Sequence, residues 1–144
     1  MEPAGYRLKV EEPPGPEILE ALAGGLTEHA VPYVQARQGF RAVAVTLRDD
    51  AGTLVGGASG HVNWNWLHIN LVWLTAALRG SGHGRRIMEA IEQIGRERGC
   101  RFAHLDTFSY QARPFYERLG YELFATLEDY PPGHKRYFLK KCLG

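Results

Sequence analysis

Cysteine, net charge and long apolar runs are all scarce in this sequence. Its 144 residues include only two cysteines, Cys100 and Cys142, which do not make a disulfide framework or a zinc cluster and favour a reducing compartment. No apolar stretch approaches the length of a membrane span, and the N-terminal segment MEPAGYRLKV lacks the regions of a signal peptide. The net charge of +1 gives no general attraction to nucleic acid or membranes. We therefore expect a soluble cytoplasmic protein with no nucleic-acid or membrane partner.

Hydrophobic residues make up 44% of the chain, which suits one globular domain over residues 1–144. The spacing of apolar residues alternates between strand and helix periods and predicts the order β, αα, ββ, β, α, β, α, ββ. Only one parallel β-α-β crossover is expected, so the fold class is mixed α/β (α+β), with a mostly antiparallel sheet. The predicted strands are 6–10, 40–48, 53–62, 67–74, 101–108, 121–129 and 135–143; the predicted helices run from Glu17 to Gly24, over 27–37 with Thr27 as cap, from the glycine-rich segment to Gly99, and over 111–120.

A glycine-rich segment separates the predicted strand 67–74 from the next helix. Residues 77–90 read ALRGSGHGRRIMEA, with no acidic residue before Glu89. Because a helix N-terminus carries roughly half a positive charge, cations in its first turn are unfavourable unless an anion lies nearby. Alternating glycines at such a junction also align backbone N–H groups, which suits a phosphate, so we interpret the segment as an anion site. Its glycines are Gly80, Gly82 and Gly84, and its cationic side chains are Arg79, His83, Arg85 and Arg86.

This segment has three other interpretations. A tight turn with glycines for geometry alone is the simplest. A nucleoside-triphosphate loop requires Lys and then Ser or Thr after its last glycine, and the pair Arg85 and Arg86 excludes it. A dinucleotide-binding turn is nearer, since the following strand ends close to Asp106. Its third glycine, however, would fall at Ile87 or Arg85, so this interpretation is a weak alternative.

Two motifs resemble the GNAT family of N-acetyltransferases. The run RGSGHG fits R/Q-x-x-G-x-G/A, the pyrophosphate loop of that family, and FYERLGY (115–121) resembles its second hallmark, an aromatic-Tyr-Glu-Lys/Arg-x-Gly-aromatic run. The motifs occur in the expected order, and the predicted elements resemble the family fold over nearly the whole chain. The sequence is most similar to those of uncharacterised bacterial members.

The resemblance implies that the anion is the pyrophosphate of acetyl-coenzyme A, and it implies no metal. In the family the strand before the loop splays from its neighbour, so that its backbone pairs with pantetheine and offers an N–H to the thioester oxygen. Many relatives have Asn at the position of Ser109, and Gln111 is the candidate to replace it. The implied cofactor-binding residues are Trp73, Leu74, Thr75, Arg79, Gly80, Ser81, Gly82, His83, Gly84, Arg85 and Gln111.

Catalysis requires a neutral amine, an oxyanion site and a proton for the departing thiolate. Tyr116 resembles the family tyrosine near the cofactor sulfur and is the expected acid, with simple aromatic packing as the alternative. Some relatives carry a Glu base near Asn70, which itself cannot accept a proton at neutral pH. Asp106, His68 and Glu128 are the candidate bases, and Asp106 is placed in the predicted site beside Tyr116.

The amine acceptor is not identified by the sequence. Trp64, Trp66 and Tyr130 are candidates for the wall of its pocket, with packing as the alternative, and the basic run HKRYFLKK is interpreted as a solvated strand face. The predicted function is transfer of an acetyl group from acetyl-coenzyme A to a primary amine. A non-catalytic acyl-coenzyme A sensor and a dinucleotide-binding oxidoreductase are the alternatives. A homodimer is common among relatives and stays open here.

Overall fold

The computed structural model of the chain describes residues 5–34 and 40–144. Contacts divide the chain into two units, Met1–Ala36 and Arg37–Gly144, and each has its own secondary structure. Within the described residues, no helix is long and apolar enough to cross a membrane.

The described part of the first unit contains helix α1, Pro16–Ala30, with proline at its start and Glu17 in its first turn, both favourable there. The predicted stop at Gly24 is wrong, because a glycine inside a helix costs only about 1 kcal/mol. A separate helix capped by Thr27 is also wrong, since Thr27 Oγ1 donates to Ala23 O at 3.0 Å inside α1. Residues 31–34 form turns, and residues 35–37 of that predicted helix lie outside the described residues.

The predicted strand 6–10 is also wrong, since these residues have no strand structure. Alternating apolar residues are compatible with an extended chain that belongs to no sheet, because the alternation specifies two faces and no pairing. The predicted strand 6–10 therefore fails because the local alternation of residues does not determine whether a segment pairs with a sheet.

The second unit contains one sheet whose six strands match the predicted strands to within one residue at each end. The strands are β1 (Arg41–Arg48), β2 (Leu54–Asn63), β3 (Trp66–Leu74), β4 (Phe102–Phe108), β5 (Glu122–Glu128) and β6 (Lys135–Cys142). Across residues 40–144 their order is β1-β2-β3-β4-β6-β5. All neighbouring pairs are antiparallel except β3 and β4, which confirms a mixed, mostly antiparallel sheet.

Two helices of the second unit flank this sheet. They are α2 (His83–Glu97) and α3 (Arg113–Arg118), and a short 3-10 turn, Ala76–Leu78, follows β3. The apolar side chains of α2 fall at helical spacing on one face, and Met88 and Ile91 are fully buried with Leu67, Val62 and Leu139 of the strands. The core of the unit therefore lies between α2 and one face of the sheet.

The centre of the sheet is splayed, as predicted. The parallel pairing of β3 with β4 covers only residues 66–68 and 102–104. In the pairing with β2, Ile69 lies opposite Gly60 and Leu71 lies opposite Ser59, so Asn70 is the extra residue of a bulge. A bulge bends its strand and increases the local twist. The C-terminal half of β3 therefore departs from β4 and opens a groove between them.

Candidate active site

The N-terminus of α2 presents free backbone donors at the end of β3. Gly82 is its N-cap with φ 87°, and no side chain caps the helix or places an acid in its first turn. Only glycine adopts such a left-handed φ without strain. The first helical hydrogen bond runs from Arg86 N–H to Gly82 O at 3.2 Å, so the N–H groups of the residues before Arg86 point out of the helix end. Such a helix end is a geometry that suits an anion, and the predicted anion site stays a prediction.

The polar side chains of the loop have internal partners. Arg79 Nε donates to Leu74 O at 3.2 Å, which ties the loop to the end of β3. The Ser81 hydroxyl donates to Leu78 O and is turned towards the protein. Arg85 forms an exposed ion pair of 3.6 Å with Glu89, one helical turn further on. His83 Nδ1 lies 3.3 Å from Arg86 Nη1.

A cavity of about 510 Å³, which we call the loop cavity, lies beside this helix end. A Cβ at Gly84 would lie 3.2 Å from the Phe115 ring, a tight contact, so this glycine favours the close approach of α2 to α3. Of the predicted cofactor-binding residues, Thr75, Ser81, His83 and Gln111 do not line the cavity. The predicted residues that do line it are Trp73, Leu74, Arg79, Gly80, Gly82, Gly84 and Arg85.

The space between the splayed strands is a second cavity of about 250 Å³, which we call the groove. Asn70 of β3 and Asp106 of β4 line it. Tyr116 of α3 lines both the groove and the loop cavity. Tyr116 is therefore the side chain at which the two cavities meet.

The environment of Tyr116 keeps its hydroxyl protonated. The side chain is 8% exposed, and its burial, with a smaller contribution from the charge of Asp106, raises its pKa to about 12. Its ring makes edge contacts with Phe115 at 5.1 Å and Tyr121 at 6.1 Å. Within residues 5–34 and 40–144 no hydrogen bond holds its hydroxyl. An uncharged phenol that is free to donate is thus available where the cavities join.

Asp106 is already paired in this site. Arg136 Nε of β6 donates to Asp106 Oδ2 at 2.9 Å, and this hydrogen bond is the main cause of a raised pKa at Arg136. The same guanidinium donates to Tyr130 Oη at 3.2 Å and lies over the rings of Phe108, Tyr130 and Phe138. The sequence interpretation of HKRYFLKK as a solvated face missed Arg136. The register of β4 and β6, which pairs Asp106 with Phe138 and Phe108 with Arg136, is what brings this arginine to the site.

Gln111 lies in the groove and is bound to the end of β4. Its Oε1 accepts hydrogen bonds from Phe108 N–H at 2.8 Å and from Thr107 Oγ1 at 3.3 Å. Ser109 Oγ accepts from Lys135 N–H at 3.1 Å and lies 3.1 Å from His134 Nδ1, so it joins the end of β4 to the last hairpin. A cofactor contact by Gln111 stays a prediction.

The other sequence candidates lie apart from the cavities. Glu128 is exposed and forms an ion pair of 3.7 Å with Lys135, and it lines neither cavity. Trp64 is at the turn before β3 with φ 54°, and Trp66 stacks on Phe102 at 4.8 Å. Neither tryptophan lines the groove or the loop cavity.

A cluster of three histidines lies on β2, β3 and β4 and lines neither cavity, and the sequence interpretation included only His68 of them. His68 stacks on His104 of β4 at 4.3 Å and contacts His61 of β2 edge-on at 5.0 Å. Burial is the main cause of a lowered pKa at both His68 and His104. Among the described residues no group of His, Cys, Asp or Glu has the arrangement of a metal site. His68 and His104 are thus uncharged at neutral pH.

Comparisons with known proteins agree with this geometry. The acetyltransferase (GNAT) family model matches residues 13–121. Over 113 residues, 78% of this chain and 82% of the other, the chain is 41% identical to the blasticidin-S acetyltransferase of Streptomyces morookaense. It is 32% identical to an acetyltransferase of Agrobacterium fabrum, over 70% of this chain and 74% of that protein.

Solved structures agree as well. An acetyltransferase from Bacillus cereus is 27% identical and superposes with a TM-score of 0.87, covering 95% of this chain and 97% of that one. A second, described as a putative acetyltransferase from Agrobacterium tumefaciens, is 26% identical with a TM-score of 0.85, covering 95% and 99%. The sequence and the fold therefore place this chain in the acetyltransferase (GNAT) family, as an acyltransferase and not a dinucleotide-binding oxidoreductase.

Proposed function

We propose that the protein transfers an acetyl group from acetyl-coenzyme A to a primary amine, and that residues 1–144 act as one acetyltransferase domain in the cytoplasm. The observation that carries this proposal is the position of Tyr116. A protonated phenol lies where the loop cavity, suited to the cofactor, meets the groove, suited to the acceptor. A protein that only bound acyl-coenzyme A would not need a proton donor at that junction.

In this proposal the pyrophosphate lies against the N-terminus of α2. The outward N–H groups and the positive end of the helix supply hydrogen bonds and charge, and Arg79 and Arg85 line the same cavity. Pantetheine follows β3 towards the groove. Beyond His68, the edge of β3 that faces β4 has no strand partner, so the main chain there is open to amide groups of pantetheine, as at other strand edges.

The chemistry then proceeds across the groove. The acceptor ammonium loses one proton, and the neutral amine attacks the thioester carbonyl, which forms the C–N bond. A β3 backbone N–H stabilises the oxyanion. Collapse of this intermediate breaks the C–S bond, and the thiolate receives the proton of Tyr116. The second amine proton returns to the tyrosine oxygen, so that the net reaction releases one proton.

The Asp106 carboxylate has an electrostatic role in this proposal. It lines the groove and carries a negative charge that attracts an ammonium, while Arg136 holds it in place at 2.9 Å. As an acceptor we propose blasticidin S, because the relative that is 41% identical acts on it by name. Other primary amines form the comparison panel.

Ligand-induced stabilisation tests the cofactor site. A ligand that binds only the native state raises the melting temperature, so acetyl-coenzyme A is expected to raise it in the wild type. Gly82→Val should abolish the rise. Gly52→Val is a matched control, because Gly52 has φ 83° and Gly82 has φ 87°, and a Cβ at either position meets no atom within 4 Å. The added strain is similar, but Gly52 lies in the β1–β2 hairpin.

Release of free thiol tests the transfer itself. Mixing the wild-type protein, acetyl-coenzyme A and blasticidin S should release coenzyme A in proportion to acetylated product. An equal stabilisation of the Gly82→Val and Gly52→Val variants by acetyl-coenzyme A would refute the loop site. Stabilisation without thiol release across the amine panel would instead support the sensor.

A further inference from the structure

A surface of aromatic rings begins in the groove and continues towards solvent. We call it the aromatic shelf and define it by Phe108, Tyr110 and Tyr130. Phe108 is the last residue of β4 and lines the groove. Its ring stacks on Tyr110 at 5.4 Å, with an interplanar angle of 5°, and on Tyr130 at 6.0 Å, with an angle of 24°. We propose that the shelf binds a ring of the acceptor, and that the preferred acceptors are primary amines that carry an uncharged aromatic ring. This inference rests on the proposed function.

The shelf exposes apolar surface that a ligand can cover. Tyr110 is 58% exposed and Tyr130 is 45% exposed, and both rings contact a residue that lines the groove. A lone exposed ring needs no explanation, whereas a contiguous aromatic surface beside a polar cavity is typical of ligand sites. The groove supplies the polar part through Asp106 and Asn70. The two surfaces together suit a molecule with one charged end and one apolar end.

The last hairpin holds the two tyrosine rings in place. Arg136 Nη1 donates to Tyr130 Oη at 3.2 Å, and the His134 ring contacts the Tyr110 ring edge-on at 5.1 Å. His134 Nδ1 also lies 3.1 Å from Ser109 Oγ, which attaches this histidine to the chain after β4. Because the shelf rings are oriented before any ligand binds, an acceptor ring meets a prepared surface. Such preorganisation lowers the entropy cost of binding.

Charge excludes the acceptor ammonium from the shelf and directs it to the groove. The Arg136 guanidinium lies 5.6 Å from the centre of the Phe108 ring and 5.1 Å from that of the Tyr130 ring, so it already occupies the cation position over these rings. A second cation there would be repelled by Arg136. The Asp106 carboxylate, which lines the groove, attracts the ammonium instead. The shelf therefore favours an uncharged ring.

The distance between the carboxylate and the shelf sets the length of the acceptor. Asp106 and Phe108 are two residues apart on β4, so their side chains project from the same face of the sheet, about 7 Å apart along the strand. Arg136 connects the same two parts, because it donates to Asp106 Oδ2 at 2.9 Å and to Tyr130 Oη at 3.2 Å. An amine that is joined to its ring by a short carbon linker therefore reaches both the carboxylate and the shelf.

A pair of probe amines tests the proposal. Phenethylamine and cyclohexylethylamine have the same linker and a ring of the same number of carbon atoms, and both are ammonium ions at neutral pH, but only the first ring is aromatic. Because stacked aromatic pairs gain more than their buried area supplies, the wild type should acetylate phenethylamine with a kcat/KM roughly 2- to 10-fold higher. The difference should lie in KM, since the shelf holds a part of the acceptor that does not react.

Substitution of the two exposed rings assigns this preference to the shelf. The double variant Tyr110→Leu with Tyr130→Leu keeps apolar side chains and removes both rings, so its preference for phenethylamine should disappear. The double variant Tyr110→Phe with Tyr130→Phe keeps both rings and should keep the preference. Phe124→Leu is the matched control, because this ring is 52% exposed on β5 and lines neither cavity. Its preference should equal that of the wild type.

Proton NMR of the protein without acetyl-coenzyme A supplies a readout that needs no turnover. Excess phenethylamine should shift the ring signals of Tyr110 and Tyr130 upfield, whereas cyclohexylethylamine should not, because only an aromatic ring has a ring current. Equal kcat/KM for the two amines in the wild type, or a preference that survives in the double leucine variant, would overturn the proposal. If no amine releases thiol, the proposed function fails, and the NMR spectra still decide whether the shelf binds a ring, since unshifted tyrosine signals would overturn that binding.

Discussion

Replacing Tyr116 with phenylalanine removes one hydroxyl from the junction of the two cavities. The ring and its edge contacts with Phe115 and Tyr121 stay, and no described hydrogen bond is lost. The free energy of unfolding should therefore change by less than about 0.5 kcal/mol, as for substitutions that remove no partner. The measurable effect should be on the rate.

The size of that effect follows from the acidity of the two groups. The pKa of Tyr116 is about 12, and a thiol is near 8.5, so full proton transfer to the thiolate is uphill by roughly 5 kcal/mol. Because the second amine proton replaces the one that Tyr116 gives up, no free phenolate forms, and the benefit is that of a hydrogen bond to the departing sulfur while the C–S bond breaks. A hydrogen bond to a charged group contributes about 1.5–3 kcal/mol. Since each ~1.4 kcal/mol is tenfold, Tyr116→Phe should lower kcat by roughly 10- to 150-fold.

The assay compares kcat for thiol release with the melting shift caused by acetyl-coenzyme A. Tyr116→Phe should lose rate and keep the shift. Tyr121→Phe is the matched control, because the Tyr121 hydroxyl donates to buried Glu92 at 2.7 Å. That variant should lose about 1–3 kcal/mol of stability and keep its kcat. A wild-type kcat in Tyr116→Phe would refute the donor role and leave Tyr116 as a packing residue.

Three further predictions concern charge. Arg85→Glu should weaken acetyl-coenzyme A binding more at low than at high salt, and equal affinities at all salt concentrations would contradict this. The free energy of unfolding without ligand should stay within about 0.5 kcal/mol of the wild type, because the helix N-terminus favours an acid about as much as the lost exposed ion pair favoured the arginine. Glu92→Ala should lower the free energy of unfolding in urea by about 3–5 kcal/mol, because it leaves the Lys141 ammonium, 2.9 Å away, without its ion-pair partner. A change under 1 kcal/mol would show that the pair is dispensable. The free energy of unfolding should fall from pH 7 to pH 5, because the lowered pKa values of His68 and His104 let the unfolded chain bind protons first; the double variant with glutamine at both positions should flatten this dependence.

Local sequence was sufficient for the elements of the second unit. Apolar and β-branched runs bounded by turn signals predict the strands of the sheet, and helical spacing of apolar residues between the glycines and Gly99 predicts α2. Local sequence also predicts an anion site, since cations and no acid in the first turn of a helix are unfavourable without an anion nearby. These properties depend on neighbours within a few residues, so the sequence alone contains them.

The first unit shows where local signals mislead. Gly24 ended the predicted helix, but α1 continues to Ala30, since a penalty of about 1 kcal/mol per glycine is smaller than what a continuous helix supplies. The alternation of residues 6–10 predicted a strand that is not formed. Both errors concern elements whose secondary structure depends on interactions with residues outside the segment.

The catalytic arrangement was decided by tertiary structure. The sequence determined that Tyr116 belongs to a helix after the loop, whereas the placement of its hydroxyl between two cavities depends on the splay of β3 from β4. The pairing of Asp106 with Arg136 and the contact of Asn70 Oδ1 with His61 Nδ1 join residues separated by 30 and by 9 positions. Such contacts depend on strand order and on a one-residue bulge. Because a shift of one residue moves every side chain of a strand to the other face, only the folded sheet determines which of these groups meet.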